Sequence, residues 1–154
     1  MNIIQFENKY LDEMAQLFAE VYSELGTERV WNLETAKKYL ERDIVNYPEY
    51  CLVILNDGGS SMGGVFCRID PYYQGQLLFV DSVQVKPEYR KQGIAKKLLQ
   101  EVFKIAKRNG VEGVHLLADA REGFPRSWYE KLGFELSGWA EYESHWDKLG
   151  DFIK

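Results

Sequence analysis

Residues 76–118 constrain the fold more than any other part of the chain. Their hydrophobic pattern predicts a strand over residues 76–85, a helix over 93–109 and a second strand over 111–118. The helix is amphipathic, because its apolar residues recur at steps of three and four: Ile94, Leu98, Leu99, Val102, Ile105 and Ala106. Two strands joined through one helix lie parallel, with a right-handed crossover. We therefore expect a sheet that contains at least one parallel pair.

The other predicted elements define the fold class. Asn8 and Asn32 are suited to cap two early helices, and a change to strand-like patterns follows Pro48. The predicted ranges are a strand at 3–6, helices at 8–26 and 32–48, strands at 50–55 and 63–69, a loop at 70–75, a helix at 125–132, and weaker strands at 134–136 and 142–146. Two early helices, an antiparallel meander, one strand–helix–strand unit and a C-terminal helix with strands make an α+β protein.

Length and charge restrict the class of function. A chain of 154 residues has the size of one domain. Its 19 Lys and Arg against 24 Asp and Glu give a net charge of −5, which argues against nucleic acid as a partner. The basic face of residues 96–108 is the feature that favours nucleic acid. No stretch approaches the roughly 20 apolar residues of a membrane span, and the start lacks a secretory signal. We expect a soluble, cytoplasmic protein with no membrane partner.

Cysteine and histidine usage predicts neither a disulfide nor a metal. Cys51 and Cys67 are too few for a disulfide framework, so we expect two reduced, buried thiols. No group of cysteines and histidines has the spacing of metal ligands, and no metal is predicted. The sequence leaves the oligomeric state open between a monomer and a homodimer.

The junction between strand and helix at residues 83–95 carries the clearest chemical signal. The strand ends, the chain turns at Pro87 and a helix opens at Gly93. Unpaired N–H groups at a helix start converge with the positive end of the helix dipole, which favours phosphate. The spacing from Arg90 to Ala95 matches neither G-x-x-x-x-G-K-S/T nor G-x-G-x-x-G, which disfavours a P-loop and a dinucleotide fold. The junction is therefore either an anion site of another kind or a charged turn that only caps the helix.

Two motifs make the chain resemble a known family. Residues 85–95, VKPEYRKQGIA, match the cofactor motif R/Q-x-x-G-x-G/A at a strand end, and residues 129–135, YEKLGFE, match a second signature of the GNAT superfamily. The order of elements from residue 3 to residue 146 also resembles this fold. The resemblance implies one acyl-CoA-dependent N-acetyltransferase domain over residues 1–154. It further implies a GNAT-like fold, a central mixed, mostly antiparallel sheet with a splayed parallel pair, flanked by helices.

The resemblance also implies how acetyl-CoA would bind as a cosubstrate. The main chain of Val83 and Val85 would pair with the pantetheine arm like an added strand, where this strand splays from the next. An N–H group near Val83 would polarise the thioester carbonyl, as an oxyanion hole does. Backbone N–H groups would hold the pyrophosphate within one segment that includes Arg90, Lys91, Gln92, Gly93 and Ala95.

Two side chains are the predicted catalytic residues. Tyr129 matches the family tyrosine that protonates the departing thiolate, and the alternative is a core aromatic residue of a short helix. Asp81 is the predicted base, since its parity on the strand matches Val83 and Val85. A β-bulge between these residues would reverse that facing.

The identity of the base stays open at the sequence level. Relatives often carry an acidic residue at the position of Ser82, and this chain does not. Asp119 and Glu122 are the alternatives to Asp81. Each of these carboxylates could instead be a solvated or helix-capping charge.

The resemblance implies direct transfer of an acetyl group to a primary amine, since no nucleophile for a covalent acetyl-enzyme is evident. The acceptor is a small-molecule or peptide amine, and the acidic balance suits a cationic one. The carboxylates expected near the acceptor are Glu24, Glu28, Asp81, Asp119 and Glu122. The alternative function is a catalytically silent acyl-CoA-binding or sensor module.

Overall fold

The computed structural model describes residues 1–150 and residue 152. The chain forms two compact units, Met1–Leu117 and Ala118–Lys154. The single domain predicted over 1–154 extends to residues 151, 153 and 154, which lie outside the described residues. Among the described residues, every helix is too short or too polar to span a lipid bilayer.

The first unit is built on a five-stranded sheet. Its elements are β1 (Asn2–Gln5), α1 (Leu11–Tyr22), α2 (Leu33–Asn46), β2 (Cys51–Leu55), β3 (Ser61–Tyr72), β4 (Gly75–Val85), α3 (Ile94–Arg108) and β5 (Gly113–Leu116). The strands lie in the order of the chain, with β1 to β4 antiparallel and β5 parallel to β4. This topology confirms the predicted mixed, mostly antiparallel sheet with one parallel pair.

Apolar helix faces cover the sheet. One core cluster joins α1 and α2 to β2 and β3, and it consists of Met14, Ala15, Leu17, Phe18, Ala36, Leu40, Cys51, Val53 and Phe66. The buried stripe of α3 packs against β2, β3 and β4, and it consists of Ile94, Leu98, Leu99, Val102 and Ala106. Each buried Leu or Ile contributes about 1.5–3 kcal/mol. Both α1 and α3 thereby contact β4.

The two predicted helix caps have different outcomes. Asn32 accepts from the Thr35 N–H at 2.9 Å, and Thr35 Oγ1 accepts from the Asn32 N–H at 3.2 Å, so the predicted cap is a full capping box. The cap predicted at Asn8 is wrong. Asn8 begins a short 3-10 turn, and Tyr10 takes the N-cap position of α1 without a side-chain cap.

Three expectations about strands and loops are also wrong. The loop predicted at 70–75 is a tight hairpin, because β3 and β4 pair as far as Tyr72 and Gly75, with Tyr73 in the turn at φ 41°. The weaker strands predicted at 134–136 and 142–146 are not strands in the described structure, whose second unit has α4 (Arg126–Lys131) and α5 (Trp146–Leu149). A strand needs a neighbouring strand for its backbone groups, and these short segments pair with none among the described residues.

A β-bulge interrupts β4 at Asp81. Phe66 of β3 pairs with Ser82 and the next residue, Cys67, pairs with Val80, which leaves Asp81 as the extra residue. Beyond the bulge, Gln84 reaches α1, where its side-chain amide donates to the Met14 carbonyl at 2.6 Å. Asp81 also faces this side of the sheet, because it contacts Tyr39 and Arg42 of α2. The simple parity that groups Asp81 with Val83 and Val85 is therefore wrong, because the bulge reverses it.

Candidate active site

The parallel pair separates just where β4 carries its predicted ligand-binding residues. Pairing between β4 and β5 ends at Val80 and Leu116, next to the bulge. Bulges increase the local twist of a strand, which helps β4 diverge from β5. Val83 lies three residues further on, opposite Val65 of β3. Its main chain is thus beyond the last pair of the β4–β5 ladder.

A tyrosine hydroxyl forms hydrogen bonds with both main-chain groups of Val83. The Val83 N–H donates to Tyr22 Oη at 3.1 Å, and the Tyr22 hydroxyl donates to the Val83 carbonyl at 3.1 Å. Val85 closes the strand, and its carbonyl accepts from Arg90 Nε at 3.0 Å. The two valines predicted to pair with a ligand therefore have protein partners in the free chain.

The segment after β4 has the backbone geometry of an anion cradle. Lys91 and Gly93 adopt positive φ angles of 60° and 77°, which bend the chain into the first turn of α3. The first intrahelical bond is donated by Lys97 to the Gly93 carbonyl at 3.0 Å, so the N–H groups of Ile94 and Ala95 lack partners within the helix. A Cβ built at Gly93 would meet nothing within 4 Å. The cradle is open, and it contains the predicted residues 90–95.

Contacts with the rest of the first unit fix this segment. Glu13 of α1 accepts from the Lys86 ammonium and from the Ser61 hydroxyl. Burial opposes the Glu13 charge, but these two hydrogen bonds prevail and lower the pKa of Glu13. On the other side of the turn, Asn56 donates to the Tyr89 hydroxyl at 3.2 Å. The turn is held from two sides before any ligand binds.

Asp81, the predicted base, lies in a buried ionic cluster. Its Oδ1 forms an ion pair with Arg42 Nη2 at 2.9 Å, and it accepts from Arg68 and, at 3.4 Å, from the Tyr39 hydroxyl. Its side chain is only 2% exposed. A carboxylate this deeply enclosed by two guanidinium groups is out of reach for an acceptor amine. The geometry supports a role in holding α2 against the bulge of β4.

Asp43 completes the cluster from α2. Arg42 Nε donates to its Oδ1 at 2.9 Å, and Arg68 Nε binds Asp70 at 3.0 Å on the opposite side. Burial, followed by the nearby charge of Asp81, raises the pKa of Asp43 to about 6 despite Arg42. The cluster thus takes up a proton in mildly acidic solution.

We expect the stability of the protein to depend on this proton. Between about pH 4 and 6, the folded state binds more protons at Asp43 than the unfolded chain does, so the free energy of unfolding falls as the pH rises through this window. Asp43→Asn removes the titration. Urea unfolding from pH 4.5 to 7.5 should show the wild type losing about 2 kcal/mol relative to this variant. Parallel pH profiles would refute the assignment.

The alternative bases are no better placed. Asp119 accepts from Arg121 Nε at 2.9 Å, and these hydrogen bonds lower the pKa of Asp119 to about 2. Glu122 is an exposed residue of the second unit. Among the other predicted carboxylates, Glu24 lies 3.9 Å from Arg29. Arginines therefore offset part of the acidic field expected to attract a cation.

Tyr129 lies at the centre of α4. Its ring packs against Trp128 and Phe134, with centroid distances of 4.9 and 5.7 Å. Burial raises the pKa of Tyr129 to about 12, so the phenol keeps its proton at neutral pH. It can therefore act as a proton donor, and it is also part of an aromatic cluster, as the alternative interpretation held.

The two cysteines do not serve as thiolates. Both are free and buried, and their burial agrees with the prediction. Burial raises the pKa of Cys51 to about 12 and that of Cys67 well above its usual range. Among the described residues, no group of three His, Cys, Asp or Glu side chains could hold a metal ion.

Sequence reasoning missed the side chains that surround β4. The sequence predicted no contact between Tyr22 and β4, and Tyr22 lies 61 residues from Val83 in the chain. Arg42 and Arg68 had no predicted role, although Arg68 alternates with apolar residues on a strand. A buried arginine requires a carboxylate partner, so an arginine within a core strand is the signal that could have indicated the cluster.

Comparisons with known proteins agree with this geometry. The model of the Acetyltransferase (GNAT) family matches residues 11–134. N-alpha-acetyltransferase 30 of Schizosaccharomyces pombe is 30% identical over 137 residues, which are 87% of this chain and 83% of that protein. N-alpha-acetyltransferase 50 of Danio rerio is 27% identical over 62% of this chain and 56% of that protein. A possible acetyltransferase from Clostridium difficile 630 shares the fold, with TM-score 0.77 at 17% identity, over 94% of this chain and 96% of that one. This chain belongs to the GNAT family of acetyltransferases.

Proposed function

We propose that this protein transfers an acetyl group from acetyl-CoA to a primary amine. The observation that carries the proposal is the arrangement of β4, where the main chain of Val83 lies beyond the β4–β5 ladder and leads directly into the open cradle at residues 90–95. Amides of a pantetheine arm fit such a strand, and a pyrophosphate fits the cradle. Acetyl-CoA would place both groups in one extended molecule.

The chemistry is a direct transfer. The neutral amine nitrogen attacks the thioester carbonyl carbon, a backbone N–H near Val83 stabilises the resulting oxyanion, and the C–S bond breaks as the amide forms. The amine proton leaves to water, and the departing thiolate takes a proton, which we assign to the phenol of Tyr129. The protonated thiols of Cys51 and Cys67 support a route without an acetyl-enzyme.

The acceptor we propose is the α-amino group at the start of a peptide. An α-amino group has a pKa near 7.7–8.0, whereas a lysine side chain has one near 10.4, so far more of the α-amine is neutral at pH 7.5. The described carboxylates suit this acceptor, because Asp81 is enclosed by arginines and the pKa of Asp119 lies near 2. An amine that deprotonates in water needs no strong base from the protein. The names of the two N-alpha-acetyltransferase relatives support the same choice.

A panel of acceptors tests the proposal. Release of CoA is measured at pH 7.5 with saturating acetyl-CoA and two peptides, one with a free N-terminus and one with a blocked N-terminus and a free lysine. The kcat/KM for the first peptide should be about 100-fold higher than that for the second. The rate with the unblocked peptide should level off above about pH 8. A preference for lysine or a polyamine would overturn the acceptor. Tight CoA binding without turnover on any amine would identify the silent acyl-CoA-binding module instead.

A further inference from the structure

The hydroxyl of Tyr22 forms the two hydrogen bonds with Val83 that a neighbouring strand would otherwise form. A hydroxyl offers one donor and two acceptor sites, and this one uses both kinds on a single residue, accepting from the Val83 N–H and donating to the Val83 carbonyl at 3.1 Å each. In an antiparallel pair of strands, the backbone N–H and C=O of one residue both point toward the neighbouring strand or both point away from it. Those of Val83 therefore point away from Val65 of β3. They face the side on which β5 has stopped pairing.

An aromatic stack supports this contact from within the first unit. The ring of Tyr22, the last residue of α1, lies 4.7 Å from that of Phe18. Phe18 in turn packs at 4.9 Å against both Trp31 and Tyr39. Ser23, which follows Tyr22, accepts from the Trp31 N–H at 2.9 Å. The end of α1 is thus held beside β4, and the phenol reaches Val83 from a fixed base.

Tyr22 and Val83 differ in how easily each can lose this hydrogen-bonded contact. Tyr22 is 38% exposed, so a displaced hydroxyl can return to water at little cost. The N–H and carbonyl of Val83 both lose a hydrogen-bond partner when the hydroxyl leaves, and a half-buried backbone group favours a new partner. A ligand that brings its own amide or carbonyl to Val83 supplies that replacement. The contact is therefore suited to exchange for such a ligand.

We propose that the Tyr22 hydroxyl binds the main-chain groups of Val83 that acyl-CoA would use, and that acyl-CoA displaces this hydroxyl when it binds. The proposal rests on the proposed function, since it takes Val83 as the residue that pairs with the ligand. Tyr22 keeps both main-chain groups of Val83 hydrogen-bonded until the ligand takes its place. Acyl-CoA must break these two hydrogen bonds before it can pair with Val83. The hydroxyl of Tyr22 therefore lowers the affinity of the protein for acyl-CoA.

The test removes one oxygen atom. In Tyr22→Phe the ring stays in the aromatic stack but the competing hydroxyl is gone, so CoA should bind about tenfold more tightly in calorimetric titrations. Amide exchange at Val83 in the free protein should become about tenfold faster, and bound CoA should slow it in both proteins. Tyr47→Phe, which removes a phenol from the loop after α2, is the matched control, and neither quantity should change in it.

Each outcome has a separate meaning. Equal or weaker CoA binding by Tyr22→Phe, or unchanged exchange at Val83 in the free variant, overturns the role of Tyr22 while the proposed function stands. Absence of CoA binding to both the wild type and the variant overturns the proposed function and, with it, the displacement. Circular dichroism confirms that each variant is folded before the titration.

Discussion

Replacing Gly93 with aspartate should abolish measurable CoA binding without unfolding the protein. Gly93 has φ 77° and an open surface above its Cα, so a side chain there projects into the cradle. A carboxylate about 4 Å from a phosphate charge costs on the order of 4 kcal/mol at the effective dielectric near a protein surface. We expect a loss of affinity of at least about 100-fold, measured by titration calorimetry with CoA.

Gly93→Asn is the matched control for this prediction. Asparagine has nearly the same shape as aspartate and tolerates the same left-handed backbone, but it carries no charge. Its affinity for CoA should fall by no more than about tenfold, from crowding of the cradle alone. If the two variants bind CoA equally well, the pyrophosphate does not lie at the start of α3 and the site assignment is wrong.

Removing the hydroxyl of Tyr129 should slow turnover by about 100-fold while leaving CoA affinity within about twofold. A phenol with a raised pKa is protonated throughout the neutral range, which a donor to a departing thiolate requires. Tyr129→Phe keeps the ring beside Trp128 and Phe134 and removes only the hydroxyl group. The measurement is kcat from CoA release, with acetyl-CoA and the acceptor peptide both saturating.

Tyr142→Phe provides the control in the same unit. Its ring is 94% exposed, so the substitution removes a phenol without touching the aromatic cluster of α4. The kcat of this variant should equal that of the wild type. A decrease below threefold in Tyr129→Phe would show that water protonates the thiolate, and that Tyr129 serves packing alone.

Local sequence signals predicted most of the first unit. The spacing of apolar residues located the three long helices, and Asn32 marked a helix start because its cap uses only neighbouring residues. The turn from Pro87 to Gly93 was readable for the same reason, since phosphate-binding geometry is built from consecutive backbone groups. Motifs of this kind are local in the chain, so a sequence displays them directly.

The features that sequence could not predict depend on distant partners. Nothing near Asp81 announces a bulge, which arises from the register between β3 and β4. The buried cluster needs Arg42 and Arg68, which come from a helix and a neighbouring strand. The bond from Tyr22 to Val83 likewise joins residues 61 positions apart. Each contact exists only once the tertiary structure has formed.

The bulge also has an evolutionary consequence. Deleting Asp81 would leave every pair between β3 and β4 in place, because Phe66 and Cys67 already pair with the residues on either side of it. It would, however, remove the extra twist at the point where β4 parts from β5 after Val80. The two strands could then continue side by side and fill the space proposed for the ligand. One residue, Asp81, thus marks the point where β4 leaves β5, and the main chain that we propose for the ligand follows directly after it.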